Sequence, residues 1–465
     1  MNKRKLPAIS RRQFLGTAIT STVLTLGGLS VSSAVAATQK RPNILFILTD
    51  DLGWGDIGIY GKTYQTPNLD QLAREGTRFT NAYAAQTVCT PTRISFFTGR
   101  YPARLPVALQ EPLVDSDNVG LPPQHPTIAS LLKANGYQTA LVGKWHAGFL
   151  PNYSPLKSGF DEFFGNYSGA IDYFTHKNES EKLDFYEGEV LVDKPGYATD
   201  LYTERAVEFL TRPRNKPFDN AQGEPFYLSL HYNAPHWPWE RPEDEELSRT
   251  FYSSNDITAG GSKETYAAIL KRLDDGVGKV LQALKDSGQA DNTIVIFASD
   301  NGGEKFSDIG PFQGRKTSLY EGGIRVPTFI RWPGVIQPNQ VNNQVLITFD
   351  LTATILAATG TSPDPDYPLD GRNLLPVLVG KKPVSPRTLF WRYKSNESGY
   401  PSGQLQAAVR SGDWKYLRQG EKEYLFNLAN DEGEQTDLKD NNPDVLKRLR
   451  NRFEEWNGQV LPYPA

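Results

Sequence analysis

The stretch from Thr87 to Arg100 concentrates the chain's reactive potential, TVCTPTRISFFTGR. Cys89 is the only cysteine in 465 residues. Thr90 suits a helix cap and Pro91 the first helical position. The apolar run Ile94–Phe97 follows, and Gly99 ends it. This pattern predicts a short helix with Cys89 at its amino-terminal mouth, where free N–H groups and the helix dipole favour anions. Arg93, four residues on, falls on the same helical face. A lone cysteine is by default a small buried hydrophobe. Here a nucleophile-capable side chain, a fixed cation and an anion-attracting helix start lie within five residues.

The second set of reactive groups is oxygen-rich. Asn43–Thr49 reads as a strand buried on both faces and ends abruptly in Asp50 and Asp51. The run 292–299 reads the same way and ends in Asp300 and Asn301. Ligands of open α/β sheets bind at the carboxyl edge of the strands. Four hard oxygen ligands there, with no histidine or cysteine required, suit Ca²⁺, with Mg²⁺ as second choice, and do not suit Zn²⁺. Two more strand-like runs deliver Lys144 and His146 after Gly143, and His236 within Ala234-Pro235-His236. Lys316 lies in the glycine-flanked loop 314–323. A pocket with Arg93, Lys144, Lys316 and a divalent ion would hold a tetrahedral oxyanion. Fixed charges stabilise the charge that develops on ester cleavage. His146 and His236 titrate near neutrality and could move protons.

These motifs in this order are similar to the formylglycine-dependent (type I) sulfatases, arylsulfatase-like members of the alkaline-phosphatase-like superfamily. The matching pieces are the Asp50-Asp51 strand end, Cys89-x-Pro91-x-Arg93, Gly143-Lys144-Trp145-His146, Ala234-Pro235-His236, Ser299-Asp300-Asn301-Gly302 and Gly314-x-Lys316. The resemblance implies that Cys89 is oxidised to Cα-formylglycine by a maturase and joins Asp50, Asp51, Asp300 and Asn301 around Ca²⁺. It implies that Arg93 and Lys144 steady the hydrated aldehyde, whose hydroxyl attacks sulfur. Lys316 would bind the sulfate, His236 would protonate the leaving sugar oxygen, and His146 would help remove a proton so that sulfate is expelled. The loop 169–176 resembles that of enzymes acting on sulfated galactose or N-acetylgalactosamine, which makes His176 a candidate substrate contact. The expected substrate is a sulfated oligo- or polysaccharide, a galactan such as carrageenan or a glycosaminoglycan. Two rival readings are a phosphate-ester or phosphodiester hydrolase of the same superfamily and a non-catalytic binder of sulfated polysaccharide. The first usually relies on Thr or Ser with Zn²⁺.

The rest of the chain must position these groups. Alternation of buried strands and amphipathic helices predicts an α/β fold, a large, mostly parallel sheet flanked by helices. Helices are expected over 127–135, 200–211, 263–286 and 349–359. The stretch 105–126 is expected as a long surface loop, and 240–262 as an irregular lid. After Pro-rich segments at 364–370 and 381–387 the texture changes to short antiparallel strands and a terminal helix. The expected division is a leader at 1–37, a catalytic domain at 38–380 and a small α+β subdomain at 381–465. The leader has Lys3, Arg4 and Lys5, then Arg11-Arg12, an apolar run and Ala34-Val35-Ala36. That pattern resembles a twin-arginine export signal read by the twin-arginine translocase. It predicts a periplasmic or secreted protein free of the membrane after cleavage. A formal net charge of −3 argues against a nucleic-acid partner. One cysteine excludes an internal disulfide.

Overall fold

The computed structural model describes residues 41–115, 119–212, 224–251, 260–395 and 404–463. The leader lies outside the described residues. No helix among the described residues is long and apolar enough to cross a membrane.

Seven strands precede the first long helix: β1 (Asn43–Thr49), β2 (Thr77–Phe79), β3 (Ala82–Tyr83), β4 (Gln138–Gly143), β5 (Glu162–Gly165), β6 (Tyr186–Glu187) and β7 (Val190–Leu191). Then come β8 (Phe226–His231), β9 (Thr293–Ser299), β10 (Thr328–Arg331), β11 (Gln340–Asn342) and β12 (Leu346–Ile347). Ten of them form one sheet in the order β11-β2-β10-β9-β1-β8-β4-β5-β6-β7. Its centre, β9-β1-β8-β4-β5, is parallel throughout. β10 joins antiparallel to both of its neighbours.

Every residue of β1 is buried because both faces of the sheet are covered. Leu45 and Ile47 pack with Leu69, Phe209 and Ile269 from the helices Pro67–Arg74, Ala198–Thr211 and Lys263–Asp286. Ile44, Phe46 and Leu48 face the other way, against Phe96, Ile128 and Ile355 from Cys89–Thr98, Ile128–Ala134 and Thr348–Ala358. The period-two alternation of β1 thus feeds two separate cores. Each buried aliphatic or aromatic side chain adds about 1.5–3 kcal/mol.

Four further strands, β13 (Thr388–Tyr393), β14 (Gln406–Ser411), β15 (Trp414–Gln419) and β16 (Lys422–Asn427), form an antiparallel meander. The helix Pro443–Asn457 contributes Leu449, Phe453 and Trp456 to the same core. That core also takes in Tyr83, Val88, Leu319 and Ile347, so the C-terminal sheet packs on the segments that flank Cys89 and Lys316.

Three local expectations need correction. Cys89 itself opens its helix, with Val88 as the extended cap residue. Thr90 does not cap; its hydroxyl accepts from Leu113 N at 3.0 Å. The stretch 105–126 is no surface loop: Leu105, Val107, Ala108, Leu113 and Leu121 are buried in the core. Its prolines and acids disguise an apolar face that only tertiary packing reveals. Within 240–262, Glu245–Phe251 is helical and Glu240 is buried, while 252–259 lie outside the described residues.

Candidate active site

In-register pairing brings the reactive groups together. Leu48 lies beside His231 on one side and Ala298 on the other, and His231 lies beside Gly143. The four central strands therefore end at one level, with neighbours about 4.8 Å apart. The residues that follow, Asp50, Asp300 and Lys144, must share that edge. Gly143 permits the bend into Lys144. Its φ is +107°, and a Cβ there would lie 1.8 Å from the His231 carbonyl oxygen. Lys144 N donates to that carbonyl at 2.9 Å.

Asp50, Asp51, Cys89, Arg93, Lys144, Asp300 and Asn301 are all buried. Lys144 Nζ donates to Asp50 Oδ2 at 2.5 Å, and Cys89 Sγ lies 3.4 Å from Asp50 Oδ1. Arg93 donates through Nε and Nη2 to Asp300 Oδ2 at 3.0 and 2.9 Å, and through Nη1 to the Lys144 carbonyl at 3.0 Å. Lys316 Nζ donates to Asp51 Oδ2 at 2.7 Å and to His236 Nε2 at 3.2 Å. Three carboxylates are thus matched by three cations in a closed network. Two non-glycine residues here hold left-handed backbone, Asp51 at φ +62° and His146 at φ +49°. Such conformations persist only where the surroundings over-determine them.

The network moves its titrations apart. Burial pushes the Asp300 carboxyl up to about 7, and the neighbouring Asp50 carboxylate pushes the same way. Burial also acts upward on Asp51, but Lys316 and His236 outweigh it and hold that carboxyl well below its ordinary range. Burial and Lys316 pull His236 down to about 3. Burial, reinforced by Lys144, pulls His146 well below its ordinary value.

Each imidazole has a defined tautomer. His236 Nδ1 lies 2.7 Å from the Trp237 carbonyl, so its proton sits there and Nε2 is an acceptor facing Lys316. His146 Nε2 donates to the Leu113 carbonyl at 2.9 Å. Its Nδ1 is buried and carries a lone pair with no partner. Both histidines, with Cys89 and Lys316, line a cavity of about 230 Å³.

The donors that converge most closely are two carboxylates, a thiol and an imidazole. Ligand atoms of Asp50, Asp51, Cys89 and His236 all lie within 4.8 Å of one another. Asn301 Nδ2 donates to Asp51 Oδ1 at 2.8 Å, yet its Oδ1 is buried without a partner, as an oxygen awaiting a cation would be. Asp50, Asp51, Asp300 and Asn301 could together hold Ca²⁺.

His176 is a correction to the expected set. It is buried, its ring stacks on Phe185 at 4.3 Å, and its Nε2 bonds the Gly196 carbonyl at 3.0 Å. It does not line the cavity. Its neighbours Asn178, Glu179 and Ser180 do, along with Asp115 and Trp237. His176→Ala is expected to cost about 2–3 kcal/mol of stability, through a small cavity and an unsatisfied carbonyl. The folded variant should keep its specific activity within about twofold, because surface-remote packing changes leave transition-state contacts intact. Denaturant melts and steady-state kinetics on the same preparation check both parts.

Sequence reasoning also missed His231. It is buried, contacts Arg93 Nη1 at 3.3 Å through Nδ1, and lies 2.8 Å from Ser229 Oγ through Nε2. It is the last residue of β8 and lies within the apolar run, so its type and position give no separate signal.

A cysteine at a helix start, three buried cations and three buried carboxylates thus gather at the carboxyl edge of a doubly covered sheet. The chain belongs to the sulfatase family and is a sulfuric ester hydrolase: the family profile named Sulfatase matches residues 42–361. A second profile, N-sulphoglucosamine sulphohydrolase, C-terminal, matches 310–459. The chain is 34% identical to N-acetylgalactosamine-6-sulfatase of Homo sapiens, over 84% of this chain and 76% of that protein. It is 30% identical to arylsulfatase J of Mus musculus, over 93% and 78% respectively. Among solved structures, Ps i-CgsB in complex with k-i-k-neocarrahexaose superposes with a TM-score of 0.79 at 32% identity, covering 90% of this chain and 93% of that one.

Proposed function

We propose that the protein releases sulfate from a sulfated carbohydrate, with galactose or N-acetylgalactosamine sulfate units of a galactan or glycosaminoglycan as substrate. The observation that carries the reading is the buried three-carboxylate, three-cation network around Cys89, at the floor of a cavity large enough for a sugar sulfate. The names of two relatives, an N-acetylgalactosamine-6-sulfatase and a neocarrahexaose complex, support the choice of sugar.

In this reading Cys89 is matured to formylglycine, whose hydrate supplies one hydroxyl to attack sulfur and a second to expel sulfate. A thiol lacks the second hydroxyl. Asp50, Asp51, Asp300 and Asn301, joined by the matured residue 89, would hold Ca²⁺, which supplies positive charge toward the sulfate oxygens. Lys144 and Arg93 orient the reacting side chain through Asp50, and Lys316 binds the sulfate. His236, whose Nε2 faces the cavity beside Lys316, is the group that would protonate the departing sugar oxygen once its ring is charged, while Lys316 keeps its own charge for the sulfate. His146 accepts a proton through its unpartnered Nδ1. The export leader would take the protein to the periplasm or beyond, where it would meet polysaccharide, after a maturase has acted on Cys89.

His236→Ala should then discriminate between leaving groups. Sugar sulfate hydrolysis should fall about 10³-fold, within the range for loss of a general acid. p-Nitrophenyl sulfate, whose phenolate leaves without protonation, should lose about tenfold or less by the same argument. Equal losses on both substrates would contradict the acid role. The function itself is tested by sulfate release from defined oligosaccharides. Hydrolysis of galactose or N-acetylgalactosamine sulfates supports the reading. Activity on phosphate esters alone, or binding without release, contradicts it.

A further inference from the structure

The loop that carries Lys316 is not held by the catalytic sheet alone. Lys316 N donates to Gly303 O at 3.1 Å, and Thr317 N donates to Thr87 O at 3.2 Å, two residues before Cys89. Thr317 has φ +72°, a left-handed conformation that is strained for a β-branched residue. Something must hold the peptide groups on its far side. Gln406, the first residue of β14 in the C-terminal sheet, does so with both ends of its amide. Its Nε2 donates to Thr317 O at 2.9 Å, and its Oε1 accepts from Leu319 N at 3.1 Å. The far end of the same loop is fixed separately. Glu321 N donates to Glu434 Oε2 at 2.6 Å, and buried Lys415 lies between Glu321 and Glu434 at 2.9 and 2.8 Å.

We propose that Gln406 is a positioning residue for Lys316, so that the C-terminal sheet completes the sulfate-binding site without touching the substrate. The amide clamp spans residues 317 to 319 and sets the strained turn from which the Lys316 side chain reaches Asp51 and His236. Only a side chain with a donor and an acceptor at fixed separation can bridge Thr317 O and Leu319 N at once. Lys415 is the poorer lever, because removing a buried cation between two carboxylates leaves uncompensated charge and destabilises the whole unit. Gln406 is half-buried and its truncation leaves no buried charge.

The proposal rests on Lys316 binding sulfate, and its test avoids any dependence on which sugar is cleaved. Sodium sulfate is titrated calorimetrically into the mature, metal-loaded wild type, Gln406→Ala, Lys316→Ala and the double variant. Gln406→Ala alone should weaken sulfate binding about tenfold, but less than about twofold in the Lys316→Ala background, the signature of coupled sites. Gln406→Glu puts a carboxylate oxygen against the Thr317 carbonyl in place of the donor, so it should weaken sulfate binding at least as much as Gln406→Ala. Undiminished sulfate affinity in a Gln406→Ala protein that melts with the wild type would overturn the proposal. So would equal fold-losses in both backgrounds. An unaffected Lys316→Ala protein would overturn the reading of Lys316 on which it stands, and is recognised separately from the other two results.

Discussion

Cys89→Ala should give a folded protein that turns over no sulfate ester. The expected loss in kcat is on the order of 10⁴-fold or more, as for removal of the nucleophile in other covalent hydrolases. The stability cost should be small, about 1 kcal/mol, because the side chain makes one long contact, 3.4 Å to Asp50, and leaves little space behind. Substrate affinity should persist, since Lys316 and the cavity walls do not depend on Sγ. Cys89→Ser separates nucleophilicity from release. A serine hydroxyl held by the same network could attack sulfur once, but has no second hydroxyl to expel the product. The expected result is at most a single turnover, with the sulfo group retained on residue 89 and visible in the intact mass. Sustained turnover by either variant would contradict the chemistry assigned to this position.

Removal of the divalent ion should have the next largest effect. Chelation is expected to lower activity at least about 100-fold, because charge stabilisation by a metal is worth several kcal/mol at the transition state. The protein should stay folded, since Asp50, Asp51 and Asp300 keep Lys144, Lys316 and Arg93 as partners. Its melting temperature should still fall, because an ion held at about 1,000 times its Kd contributes about 4 kcal/mol. Ca²⁺ should restore both properties. Mg²⁺ should restore them less well, because it demands tighter octahedral geometry than this cage of separate strand ends offers. Asp300→Asn should raise the Ca²⁺ concentration needed for half-maximal activity while keeping an acceptor for Arg93. Full activity in protein shown to be metal-free would contradict the assignment.

The centre of the site was legible in the sequence for a simple reason. Parallel strands buried on both faces announce themselves as apolar runs, and charged residues directly after them can only lie at the sheet's carboxyl edge. That logic found Asp50, Asp51, Lys144 and Asp300 without any knowledge of strand order. It could not find His231, because an inward-facing polar residue at the end of a buried strand looks like any other member of that strand. Nor could it separate His176 from a ligand contact: both readings require a loop histidine, and only the stack on Phe185 and the bond to Gly196 decide. The misreading of 105–126 has a different origin. Proline and acid content marks irregular backbone correctly, but not whether that backbone is buried, and Leu113 ends up beneath His146. Gln406 was invisible for a third reason. Its partners lie 89 and 87 residues away in the chain, and neither its type nor its neighbours hint at a loop from another sheet.

The proposed turnover depends most on the chemical identity of residue 89. A mass spectrum of the peptide containing Cys89, taken from enzyme whose sulfatase activity has been measured on the same sample, tests it directly. The predicted result is an aldehyde in place of the thiol, in a fraction that rises and falls with specific activity. An intact thiol in fully active enzyme would contradict it.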